Sequence, residues 1–249
     1  MSVSLKTERL RPVVAERVVP FFEELLEKED GNIHSLHVVG SALTADFNEQ
    51  TSDVNSVVVL KEMDLRFLEV LAPRGKKYRK RGVAAPLIMT PGYITASLDV
   101  FPVEFLSFRL IHETVYGEDV FALIEVGDGD LRQQCERELK TRLIGLRQGY
   151  ISSLGDVRTL TETYVKAMRS YAPVFRGIIH LKGEAPPERY EDIVRELARL
   201  TGVDCDIFMR LLRGRHEKLK LSQEEVKTVF ETYYRATEAL GKVVDEIPA

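Results

Sequence analysis

A glycine-serine pair, Gly40-Ser41, closes the segment Ser35 to Val39, and Ser52-Asp53-Val54-Asn55 follows after a short loop and leads into the apolar run Val57-Val58-Val59-Leu60. Glycine after a strand lets the backbone turn tightly and come close to a ligand. The backbone N–H groups behind it, with the Ser41 hydroxyl, can hold phosphate oxygens at the start of a short helix. Taken alone, the dipeptide also fits an ordinary strand-to-helix turn with Ser41 as its cap. Asp53 and Asn55 stand two apart at the start of the next run, and residues two apart on a strand face the same side. Two carboxylates there could bind Mg²⁺ together with substrate phosphates. Asn55 offers a neutral amide oxygen instead, which is a poorer ligand. Glu104 lies in Phe101 to Leu106, where alternation turns it away from the phenylalanine face of an expected strand. A lone carboxylate in such a run is costly to bury unless it is paired or binds a metal. Asp99 is a weaker candidate at the end of the preceding turn.

These residues need elements to position them. Leu10, Val14, Val18, Phe21 and Leu25 repeat at helical spacing, and Pro20 inside that stripe predicts a kink or break. Lys28 to Asn32 reads as a turn. Leu36 to Val39, Val57 to Leu60, Pro86 to Met89 and Phe101 to Leu106 are short apolar runs, the pattern of buried strands covered by helices. Asp64 to Leu71 reads as a helical connection with Asp64 as its cap, and Pro91 to Leu98 as a short turn or helix.

Beyond about Asp128 the strands stop. Helical stripes run from Leu131 to Leu154, with Asp128 or Asp130 placed to cap the first, and then from Val157 to Ile178. Further stripes cover Tyr190 to Leu200, Ile207 to Leu212 and Val226 to Val244, the last opened by Ser222-Gln223-Glu224-Glu225. Long helices with short connections predict an antiparallel bundle. The expected fold class is therefore α/β (α+β): a mixed sheet with flanking helices over residues 1–127, followed by an all-α bundle over 128–249.

In their order, Val38-Val39-Gly40-Ser41, Ser52-Asp53-Val54-Asn55 and a later acidic residue resemble the nucleotidyltransferase superfamily of DNA polymerase β, in layout most of all its small bacterial members. The resemblance covers the first 125 residues at motif level, and Val115-Tyr116-Gly117-Glu118-Asp119-Val120 is similar to a segment that follows the catalytic sheet in these proteins. It implies that Gly40 and Ser41 bind a nucleoside triphosphate, and that Asp53, position 55 and Glu104 hold Mg²⁺. The implied reaction moves a nucleoside monophosphate onto an acceptor hydroxyl, the acceptor being unidentified. Asn55 departs from the family's Asp-x-Asp pair, so the alternative is a catalytically inactive nucleotide-binding or partner-binding relative.

Other features read more plainly. Arg74 to Gly82 is a basic run able to contact a polyanion, and more commonly such a run is a solvated loop. His34 and His37 lack metal-ligand companions and read as structural, as does His180, which falls at a helix end with Arg176 before it. Cys135 and Cys205 read as buried thiols. The net charge of −4 argues against broad nucleic-acid binding. No apolar run approaches the roughly 20 residues of a membrane span, and the charged residues of Met1 to Arg11 leave no signal core, which predicts a cytoplasmic protein without a membrane partner. Broad apolar helix faces allow a homodimer.

Overall fold

The structure, a computed structural model, describes residues 4–29, 31–217 and 219–248. It is mixed α+β and divides into two compact units, Met1–Leu98 with Phe105–Glu125, and Asp99–Glu104 with Val126–Ala249.

In the first unit, helix α1 (Pro12–Glu29) buries Val14, Val18, Phe21, Phe22, Leu25 and Leu26. The expected break at Pro20 does not occur. Buried side chains on both sides of the proline pack into one core, and that packing outweighs the roughly 3 kcal/mol that an interior proline costs. The turn expected over Lys28 to Asn32 begins later, since α1 includes Lys28 and Glu29, while Asp30 lies outside the described residues. The sheet contains β1 (Ile33–Val39), β2 (Asn55–Leu60), β3 (Leu87–Met89) and β4 (His112–Gly117), in the order β3-β2-β1-β4. Strand β1 is antiparallel to both β2 and β4, whereas β2 and β3 are parallel. Leu36, Val38, Val58, Leu60 and Val115 join the core beneath α1.

A parallel pair needs a crossover, and α2 (Arg66–Arg79) supplies it between β2 and β3. Asp64 Oδ1 accepts the N–H of Arg66 at 2.9 Å, although the helix opens one residue later than expected and continues through the basic run to Arg79. The short helix α3 (Pro91–Ala96) is capped by the Thr90 side chain.

The fourth expected strand is a correction. Residues Pro102–Leu110 form helix α4. Proline cannot donate in a ladder but suits a first helical turn, and an apolar run this short does not reveal its own period. Pro102, Val103, Phe105 and Leu106 are buried while Glu104 is exposed, a helical pattern. The true last strand, β4, ends at Gly117, whose φ is +75°. A Cβ there would lie 2.0 Å from the His34 carbonyl oxygen, so only glycine lets β4 pass β1 at that point.

The second unit is helical: α5 (Asp128–Ser152), α6 (Val157–Ala167), α7 (Tyr171–Leu181), α8 (Tyr190–Thr201), α9 (Asp206–Glu217) and α10 (Gln223–Asp245). Its core stacks Tyr171, Phe175, Phe208 and Tyr233, with ring centroids 5.0–5.8 Å apart. The stripe expected as one helix from Val157 to Ile178 is interrupted by a 3-10 turn at Met168–Ser170. Pro173 explains it, because without an N–H it cannot extend the preceding helical ladder and instead sits in the first turn of α7. Gly127, with no side-chain bond, occupies the cap of α5; Asp128 and Asp130 fall inside the first turn, where their charge complements the helix dipole. Ser222 and Glu225 form the expected reciprocal capping box on α10. Cys135 and Cys205 are buried free thiols, each pushed up to about 12 by burial. Arg176 is buried and donates to the carbonyls of Pro187 and Glu188, and His180 lies in the last turn of α7.

Candidate functional site

The register of the β1–β2 pair builds the site. Its final partners are Val39 and Asn55, so the chain leaves β1 at Gly40 beside the point where it enters β2. Gly40 has φ +75° and opens the 3-10 turn Gly40–Leu43. The first N–H groups of such a turn have no partner inside it. Gly40 N itself donates to Ile111 O at 3.2 Å. A Cβ added to Gly40 would meet no atom within 4 Å, so the turn faces open space, and Ser41 is exposed to it.

The connecting loop is pinned rather than free. Phe47 is buried in the core, with the Arg17 guanidinium 5.6 Å from its ring centre. Arg11 donates to Thr44 O at 2.8 Å, and Arg17 to Ser52 O at 3.2 Å and to Glu49 O. These arginines bond to carbonyls instead of carboxylates, so their charge adds to the local positive potential. Ser52, buried, accepts the N–H of Asn48.

Asp53 and Asn55 are both exposed on either side of buried Val54. Val54 is clamped from the far side, its N–H donating to Gly82 O at 2.7 Å and its carbonyl accepting from Ala84 N at 3.0 Å. The adjoining parallel segment reads Val83-Ala84-Ala85-Pro86-Leu87-Ile88-Met89, with no carboxylate. Four of the sequence-predicted residues, Gly40, Ser41, Asp53 and Asn55, thus meet at one hairpin end. Glu104 is on α4, within the second unit, where its Oε2 accepts from Gln134 Nε2 at 2.7 Å while Gln134 Oε1 accepts the Val103 N–H. Asp99 also belongs to that unit. Among the described residues no group of three His, Cys, Asp or Glu side chains is placed to hold a metal. One carboxylate and one amide at the hairpin end do not fit a two-metal centre. They fit no more than a Mg²⁺ ion that arrives already held by nucleotide phosphates.

Across β1 from Asn55 lies a second polar group that the sequence reading did not assemble. His112 pairs with Val39 on the other edge of β1. Its Nδ1 is 2.7 Å from Phe108 O and its Nε2 2.8 Å from Asp119 Oδ1. Both ring nitrogens therefore face protein oxygens. Asp119 also accepts the N–H groups of Phe121 and Ala122. Burial would raise its pKa, but the nearby His112 and these hydrogen bonds outweigh that and hold the carboxyl below its usual range. His37 is fully buried between Ser35 Oγ (2.8 Å) and Thr114 Oγ1 (2.9 Å), and desolvation, reinforced by the charge of His112, lowers its pKa to about 4. Beside β4 a groove of about 490 Å³ is lined by Lys6, Arg9, His112, Glu113, Thr114 and Asp119. A lone histidine at a strand start carries no local signal; only the pairing of β4 with β1 brings His112 and Asp119 into view.

Comparison with known proteins adds no family to this picture: no family model matches the chain, and no curated protein matches its sequence.

Proposed function

We propose that the chain is a nucleotide-binding relative of the nucleotidyltransferases that does not carry out nucleotidyl transfer. The observation that carries this reading is the Val39–Asn55 register, which sets the open Gly40-Ser41 turn directly beside Asp53. In this reading the triphosphate lies over Gly40, against the N–H groups of the turn and the Ser41 hydroxyl. Arg11 and Arg17 supply positive potential from behind the loop. Transfer in this superfamily relies on two divalent metals to activate the acceptor hydroxyl and steady the leaving pyrophosphate. With Asn55 in place of a carboxylate and none on the segment from Val83 to Met89, that stabilisation is lost, at a cost of about several kcal/mol in the transition state.

Calorimetric titration with ATP and GTP, with and without Mg²⁺, tests the binding. Gly40→Ala provides the control. Its methyl group points into open space, so the fold bears only the left-handed backbone cost of roughly 1–2 kcal/mol. The expected result is nucleotide binding by the wild type that weakens at least about tenfold in Gly40→Ala while the variant still melts cooperatively. Failure of the wild type to bind any nucleoside triphosphate would sink the proposal.

A further inference from the structure

The run Arg74 to Gly82 is not a loop: it forms the last turns of α2 and the turn that follows. Its six cations fall into two sets. Arg74 and Lys77 each lie 2.7 Å from a carboxylate oxygen of Glu24 on α1, and buried Tyr78 donates to Pro20 O at 2.9 Å. Lys76, Arg79, Lys80 and Arg81 are exposed, and none of these side chains has an ion-pair or hydrogen-bond partner among the described residues. Lys76 and Arg79 complement the C-terminal dipole of α2. Lys80 occupies the C-cap of α2 and Arg81 lies beyond it, so the dipole does not account for the whole set. The chain as a whole carries −4, which makes this concentration of unneutralised positive charge a local feature.

Its position gives it a meaning. Gly82 O accepts the Val54 N–H, and Val54 bridges to Val83 in parallel, so the cationic turn ends alongside Asp53 and Asn55. Gly40 stands one strand further on. At a strand spacing of about 4.8 Å, the end of the run is about 10 Å from the Gly40 backbone. No apolar side chain in the run is exposed, since Tyr78 is buried, which disfavours a membrane surface as the occupant.

We propose that Lys76, Arg79, Lys80 and Arg81 hold the sugar-phosphate backbone of a single-stranded nucleic acid whose terminal nucleotide occupies the Gly40-Ser41 turn. The inference rests on the nucleotide reading above and names its ligand class. A terminal nucleotide at the turn leads its neighbouring phosphates onto the cations. A single strand is the form whose end is free of a paired partner and able to enter the turn.

Anisotropy of a fluorescein-labelled 12-nucleotide RNA across a salt series tests it. Single-strand binding loses about 0.7 in the log–log salt slope for each phosphate neutralised. The variant Lys76→Gln/Arg79→Gln/Lys80→Gln/Arg81→Gln should therefore reduce the slope by about 3 and still bind ATP. Lys76→Arg/Lys80→Arg should keep the wild-type slope, and Lys6→Gln/Arg9→Gln, in the groove beside β4, should change nothing. Circular dichroism on each variant confirms the fold, as all four replaced side chains are exposed. An unchanged slope in the quadruple variant overturns the proposal, as does an equal loss in Lys6→Gln/Arg9→Gln or tighter binding to phosphatidylserine vesicles than to RNA. Patch-dependent RNA binding by a wild type that binds no ATP overturns the nucleotide reading and leaves the cationic site standing.

Discussion

His37 shows how one residue links the sheet to its surroundings. It is fully buried, and as a neutral ring it satisfies both nitrogens on the hydroxyls of Ser35 and Thr114. Its pKa falls from 6.5 to about 4, so the unfolded chain binds the proton more tightly than the folded one. Stability from this group is complete above about pH 6.5 and is lost as pH falls toward 4. The full effect is on the order of 3 kcal/mol. Denaturant melts between pH 4 and 7 should show stability rising with pH, and His37→Gln should flatten that rise; a variant with the wild-type pH profile would assign the dependence elsewhere. The sequence marks His37 as structural but does not show its partner across the sheet. Thr114 comes from β4, and nothing local ties it to β1. Gly40, Ser41, Asp53 and Asn55 were legible as a group because a glycine turn and a following strand are neighbours in both sequence and space. Glu104 was not, because its placement depended on a strand that is a helix.

At the scale of elements, runs with a strong local cause could be read directly. The three valines of β2, the capping box on α10 and the stripe of α5 each state their own structure. Elements fixed by a single proline or by tertiary pairing could not. Pro102 begins α4 and Pro173 splits α6 from α7, whereas Pro20 leaves α1 intact because its core contacts override it. The turn between α5 and α6 carries a local strain. Leu154 has φ +52° and is 95% exposed, so a bulky residue adopts the left-handed region with no packing in return. Leu154→Asn should stabilise the protein by about 0.5–1 kcal/mol, since asparagine tolerates that conformation. Thermal melting checks this, and a lowered melting temperature would mean that Leu154 has a contact worth more than its strain.

For the molecule as a whole, the proposed reading puts recognition at one hairpin end of the first unit. It rests on the open space beside Gly40, the exposed Ser41 and Asp53, and the exposed cations after Arg74. No helix of the described residues is long and apolar enough to cross a membrane. The central claim is that this end holds a nucleotide without cleaving it. Incubation with α-³²P-labelled ATP or GTP, Mg²⁺ and a panel of hydroxyl acceptors, RNA 3′ ends included, tests it most directly by following label transfer and pyrophosphate release. The wild type should return the nucleotide intact, and so should Asn55→Asp, which tightens Mg²⁺-dependent binding but still lacks a carboxylate on the neighbouring strand. Pyrophosphate release by the wild type, abolished in Asp53→Asn, would contradict it.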